Sequence, residues 1–185
     1  MTASSALDPR APLVLDTREL GRRPGTMRAV HRTIDAPGDW GLELVRVPAA
    51  SPVELDLRLE SVMEGVLVTG TVEVTVSAEC GRCLDPVTDQ LDVDIQELFA
   101  YEAADPDDEQ PLLTGDFIDI EPLVRDAVVL GLPLNPVCDD DCQGLCAECG
   151  ARLSEVEPDH AHDDPDPRWA ALTQLTPDSD QRTES

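Results

Sequence analysis

Val53-Glu54-Leu55-Asp56-Leu57-Arg58-Leu59-Glu60, and shortly after it Val66-Leu67-Val68-Thr69-Gly70-Thr71-Val72-Glu73-Val74-Thr75-Val76-Ser77-Ala78, decide the fold. In the first stretch apolar and charged residues alternate, the period of a strand with one face in the core. Met63-Glu64-Gly65 supplies the turn. In the second stretch Val72, Val74 and Val76 face one way and Thr71, Glu73 and Thr75 the other, while Gly70 marks a bulge or bend. Leu91, Val93 and Ile95 alternate with Asp92, Asp94 and Gln96 in a further strand. Consecutive strands of this kind predict an antiparallel meander with local connections.

On either side of these strands, Leu42–Val47 reads as another strand, Leu13-Val14-Leu15 as a short one and Phe117–Ile120 as an extended stretch. Gly21–Gly38 mixes Gly, Pro and Arg without periodicity and reads as a long loop, and Asp105–Gln110 as an acidic one. Ile120, Leu123, Val124, Ala127, Val128 and Leu130 follow helical spacing, with Asp119 to cap the start, Gly131 the end and Pro133 as the stop. The expected fold is α+β: an antiparallel β-meander or partly closed sheet, one main helix covering a face, and a C-terminal cysteine-rich metal knuckle. Its core must come from Val, Leu and Ile, since the chain has only two Trp, one Tyr and two Phe. The expected organisation is a disordered segment over 1–11 and one domain over 12–153. An acidic, largely disordered tail over 154–185 follows, with an apolar docking patch at Trp169–Leu175.

The chemistry lies in six cysteines. Cys80 and Cys83 form a C-x-x-C pair at the end of a strand. Cys138, Cys142, Cys146 and Cys149 crowd a short stretch after the helix, and Gly150 lets backbone amides turn toward the thiolates of the last two. A two-residue spacer lets both thiolates of such a pair reach one ion, and zinc takes four of them at tetrahedral corners. Structural zinc is therefore expected, on either of two sets. Cys138, Cys142, Cys146 and Cys149 are favoured because short loops make closure cheap. The alternative joins Cys80 and Cys83 to two later thiols. Disulfides fit less well: Met1–Pro12 has neither a basic n-region nor an apolar h-region, so the chain reads as cytoplasmic, where thiols stay reduced. A thioredoxin-like role needs the pair to open a helix, and here strand pattern follows it. Cys142-x3-Cys146-x2-Cys149 has radical-SAM spacing, but no barrel surrounds it. His160 and His162 read as solvated tail residues, with late metal ligation as the other possibility.

A formal net charge of −26 disfavours contact between most of the surface and bare nucleic acid. All thirteen basic residues are arginines, and Arg18, Arg22, Arg23, Arg28 and Arg32 cluster toward the N-terminus. That cluster is either a loop offsetting nearby acids or a contact for RNA or protein, with Arg22, Arg23, Arg28 and Arg32 as the candidates. The sequence has no P-loop, dinucleotide fingerprint, G-x-S-x-G elbow or H-E-x-x-H. A binding or assembly protein is expected, not an enzyme, with neither a membrane span nor a small-molecule substrate.

Leu57–Gly70, then Cys80-Gly-Arg-Cys83-Leu84, then Asp119 through the helix to Leu132-Pro133-Leu134-Asn135-Pro136-Val137-Cys138 resemble the YceD family of bacterial large-ribosomal-RNA accumulation proteins. Cys142-Gln-Gly-Leu-Cys146-Ala-Glu-Cys149-Gly150-Ala-Arg-Leu153 and Asp166-Pro167-Arg168-Trp169 are similar to its high-GC Gram-positive members. The resemblance runs from about Leu13 to Leu175 and rests on the order and spacing of these motifs. It implies a cytoplasmic role in synthesis, processing or stability of large-subunit ribosomal RNA, with no catalytic residues. The partner would be that RNA or a ribosomal protein in the precursor particle. The other function class is a zinc-stabilised interaction module or regulatory adaptor outside ribosome assembly.

Overall fold

The computed structural model describes residues 7–103 and 110–162; most of the acidic loop, the Trp169–Leu175 patch and residues 1–6 lie outside them. The alternating stretches form strands: β5 (Pro52–Ser61), β6 (Gly65–Glu79) and β7 (Pro86–Ala100). All three are antiparallel neighbours, with β6 in the middle. Val53, Leu55, Leu57 and Leu59 of β5 and Val66, Val68, Val72, Val74 and Val76 of β6 are buried, as their period of two requires. Strand predominates in the regular structure of the described residues, with a single α-helix, α1 (Glu121–Gly131), and one 3-10 turn at Arg18–Leu20. The protein is thus a curled antiparallel sheet with one helix, more nearly all-β than the α+β expectation.

Gly70 does not mark a bulge. Leu57 and Ile95 stand opposite it, and the one-to-one register continues unbroken on both sides. Gly70 is instead a point of close approach. Its φ is +154°, and a Cβ there would overlap the Asp56 carbonyl of β5.

The expected loop Gly21–Gly38 contains a nine-residue strand, β2 (Met27–Asp35), paired along β5. Only Val30 and Ile34 are buried on it. Arg28 and Arg32 share their face, so the period of two is broken by charge. Those arginines serve the fold: Arg28 Nη1 donates to the Asp16 carbonyl at 3.0 Å and Arg32 Nη1 to the Pro12 carbonyl at 2.9 Å. The expected strand Leu42–Val47 is a hairpin of β3 (Trp40–Gly41) and β4 (Val45–Val47). Leu42 and Leu44 are exposed at its turn, and β4 continues beside the end of β6.

β1 (Val14–Asp16) and β8 (Phe117–Asp119) pair as a two-stranded ribbon. Leu15 and Ile118 of this ribbon, and Leu13 and Ile120 beside it, join the core of the large sheet. The N-cap of α1 is Ile120 and not the expected Asp119, which lies one residue earlier and accepts the Glu121 N–H on its Oδ1 at 3.0 Å. Val124 and Val128 are fully buried, but Leu130 is 86 % exposed. Gly131 closes the helix against β7, leaving no room for a side chain: a Cβ would lie 2.7 Å from Val93 Cγ1. The segment after α1 is thereby directed to the β6–β7 turn, where Gly81 N–H donates to the Pro136 carbonyl at 2.8 Å.

Candidate metal centre

The β6–β7 turn is the first knuckle. Cys80 N–H donates to the Asp85 carbonyl at 2.8 Å and Leu84 N–H to the Cys80 carbonyl at 2.9 Å, with Leu84 in the left-handed region at φ +63°. This wraps the backbone around the Cys80 sulfur, which accepts the Arg82 N–H at 3.4 Å. Cys80 and Cys83 are both buried.

Cys138 and Cys142 arrive from the segment after α1. Cys83 Sγ lies 3.6 Å from Cys138 Sγ, and Cys80 Sγ lies 3.9 Å from Cys142 Sγ. All four sulfurs lie within 4.8 Å of one another. A tetrahedron of sulfurs about 2.3 Å from a zinc ion has edges of about 3.8 Å. Both separations are near that value and far from the ~2.05 Å of a disulfide. The second strap is fixed to the first by Arg82, whose Nη1 donates to the carbonyls of Asp140 and Cys142 at 2.9 Å each. Gly144 packs on the Arg82 backbone.

The electrostatics are those of crowded thiols. The backbone N–H groups of Cys83 and then Arg82 hold Cys80 down to about 6, against burial. For Cys83 the Asp85 N–H pulls the same way, but burial and the neighbouring thiols Cys80, Cys138 and Cys142 outweigh it and push the group up to about 12. Cys138 is raised, chiefly by Cys142. Thiolates this close repel one another, and a divalent cation removes that conflict by holding them all deprotonated.

The favoured set Cys138, Cys142, Cys146 and Cys149 is not brought together. Cys146 and Cys149 sit in a separate knuckle and face His160 and His162, the four ligand atoms again within 4.8 Å of one another. The histidines read as tail residues are therefore beside thiols. The available signal was the His-x-His pair downstream of a C-x-x-C-Gly knuckle. Arg152 ties the two regions: its guanidinium pairs with the Asp85 carboxylate and lowers that carboxyl's pKa. Each group has the donors and spacing to hold a metal ion.

The arginine candidates separate. Arg28 and Arg32 are bound to backbone on β2, and Arg28 also pairs with Glu19 at 3.3 Å. Arg22 lies over the Tyr101 ring, 4.7 Å from its centroid. Arg23 is exposed and makes no side-chain hydrogen bond or ion pair among the described residues.

A family model described as large ribosomal RNA subunit accumulation protein YceD matches residues 68–176, more than half of the chain. The chain belongs to the YceD family. An uncharacterized protein of Mycobacterium tuberculosis is 47 % identical over 92 % of this YceD chain and 84 % of its own length. YlbN of Bacillus subtilis is 26 % identical over 71 % of this chain and 78 % of its own. A maize relative bears the name large ribosomal RNA subunit accumulation protein YCED homolog 1, chloroplastic; it is 27 % identical over 82 % of this chain and 49 % of its own. No solved structure matches. Both knuckles of this YceD chain fall within the matched residues, as do the whole of β7 and α1. Among the described residues no helix is long and apolar enough to cross a membrane.

Proposed function

We propose that this protein is a non-enzymatic factor in the biogenesis of the large ribosomal subunit in the bacterial cytoplasm. In this reading a structural zinc sits on Cys80, Cys83, Cys138 and Cys142. Membership of a family described by large ribosomal RNA accumulation supports the ribosomal role. The observation that carries the metal is the convergence of four thiols from two distant segments within 4.8 Å of one another, with both cross-segment pairs near the tetrahedral edge. Four thiolates fill the coordination sphere and leave no position for a substrate, so the ion fixes structure and does no chemistry. It joins the end of the β6–β7 hairpin to the strap that follows α1. The surface beyond it is what a partner meets.

That partner is large-subunit ribosomal RNA or a basic ribosomal protein in the precursor particle. On the RNA side of the choice, the engagement of the other arginines favours two of the candidates. Arg18, Arg58, Arg125 and Arg152 are paired with carboxylates, and Arg28, Arg32 and Arg82 hold backbone carbonyls. Arg22 and Arg23, in the loop before β2, are the most available of the four candidates to meet phosphate. The acids, far in excess, suit a basic protein. Co-sedimentation with precursor large subunits tests the reading. Association that persists after nuclease points to the protein partner, and association that nuclease abolishes points to RNA. A chain that never travels with precursor particles would overturn the ribosomal role.

A further inference from the structure

Residues 144–162 build a second knuckle with the backbone of the first. Cys146 N–H donates to the Ala151 carbonyl at 2.7 Å and Gly150 N–H to the Cys146 carbonyl at 2.9 Å, with Gly150 at φ +71°. At the first knuckle Cys80 N–H reaches Asp85 and Leu84 N–H reaches Cys80, with Leu84 left-handed. Measured from the first cysteine, the two bonds and the left-handed residue fall at identical positions. Leu153 N–H donates to the Gly144 carbonyl at 3.0 Å, closing a small hairpin with the C-x-x-C at its tip. Two cysteines complete the first site; two histidines face the second.

We infer that Cys146, Cys149, His160 and His162 form a second, independent site for a zinc-type divalent cation, with Glu148 as a positioning residue. The distances fit that donor set. His160 Nε2 lies 3.5 Å from Cys149 Sγ and 3.1 Å from His162 Nε2. For zinc with bonds of about 2.0–2.3 Å, tetrahedral N···N and N···S edges are about 3.3 and 3.6 Å. Both imidazoles present Nε2 to the centre. His162 turns its other nitrogen, Nδ1, to Glu148 Oε2 at 3.5 Å. A carboxylate behind a ligating histidine fixes the ring and its tautomer, leaving Nε2 free of its proton for the metal. Glu148 lies inside the C-x-x-C itself, so the carboxylate facing His162 comes from the same knuckle as the thiols.

The site does not depend on the ribosomal reading or on the first centre, and metal stoichiometry distinguishes them. The full chain, purified without a histidine tag in the presence of zinc, is expected to hold two equivalents. His160→Ala/His162→Ala should lose one equivalent while circular dichroism shows the sheet intact. After cobalt substitution the same variant should lose the share of the d–d and charge-transfer absorption that comes from mixed N/S ligation. Glu148→Gln should keep the second equivalent but bind it about 10-fold or more weakly in chelator competition. A wild type with one equivalent that the double variant loses would support this site and remove the first. If the double variant held as much zinc as the wild type, at any level, the second site would be overturned. Unchanged zinc affinity in Glu148→Gln would overturn the positioning role alone.

Discussion

At Gly70 the β5 backbone comes so close to β6 that no side chain fits between them. Gly70→Ala is expected to cost about 1–3 kcal/mol, because the new Cβ must push two paired strands apart and the φ of +154° is strained for any other residue. Gly38 is the control, since a Cβ there would meet no atom within 4 Å and its φ is ordinary: Gly38→Ala should be neutral or mildly stabilising. Urea unfolding of the two variants checks the difference. Asp16 gives a residue-scale pH prediction. Side-chain hydrogen bonding from Arg18 lowers its pKa from 3.8 to about 2. A lowered folded-state pKa stabilises above the unfolded value and loses that contribution as pH falls. The stability gap between wild type and Asp16→Asn should therefore be full above about pH 4 and close toward pH 2. A gap that stayed constant through that window would refute the assignment.

At the scale of elements, the β6–β7 hairpin and the strap after α1 are separate pieces whose ends meet at four cysteine sulfurs. Their other links are the Gly81–Pro136 hydrogen bond, the Arg82 contacts and the Asp85–Arg152 pair. Metal binding is folding energy for whatever it closes. A strong chelator should lower the melting temperature and open residues 134–153 to protease, while the buried valines of β5 and β6 keep the sheet folded. Cys80→Ser should remove the first equivalent of zinc and leave the second. Protease sensitivity unchanged by chelator would contradict a structural ion. The elements also show where pattern reading succeeds. β5, β6 and α1 were legible because their core faces are almost purely apolar. β2 was not, because two arginines sit on its core side and reach back to the N-terminal segment. The β3–β4 hairpin was read as one strand because Leu42 and Leu44 are apolar yet lie exposed at the turn.

Across the whole molecule, charge constrains the proposed association. With a net charge of −26, RNA contact has to be local and basic-protein contact can be broad. If Arg22 and Arg23 meet phosphate, replacing both should lower the slope of log affinity against log salt by roughly 1.4–1.8 units. Arg22→Glu/Arg23→Glu and the wild type, compared for association with precursor large subunits over a salt series, provide the measurement. Equal slopes would move the contact to the acidic surface. Arg28 and Arg32 make poor test sites, since removing either also unfastens the N-terminal segment from β2.

The order of residues alone was enough for the alternating strands, the helix, the absence of familiar catalytic motifs and the presence of thiols able to hold a metal. Those depend on local period and residue chemistry, which are readable one segment at a time. Which donors share a centre is a matter of packing in three dimensions. Loop length favoured four neighbouring cysteines, but the entropy of closing a long loop grows slowly with length and is already met when the sheet and α1 pack. Folding brings Cys138 and Cys142 to the β6–β7 turn at no further closure cost. Each C-x-x-C turns its own amides toward its own sulfurs, so the two knuckles stand as two separate donor groups, each able to hold an ion, and packing brings His160 and His162 beside the second.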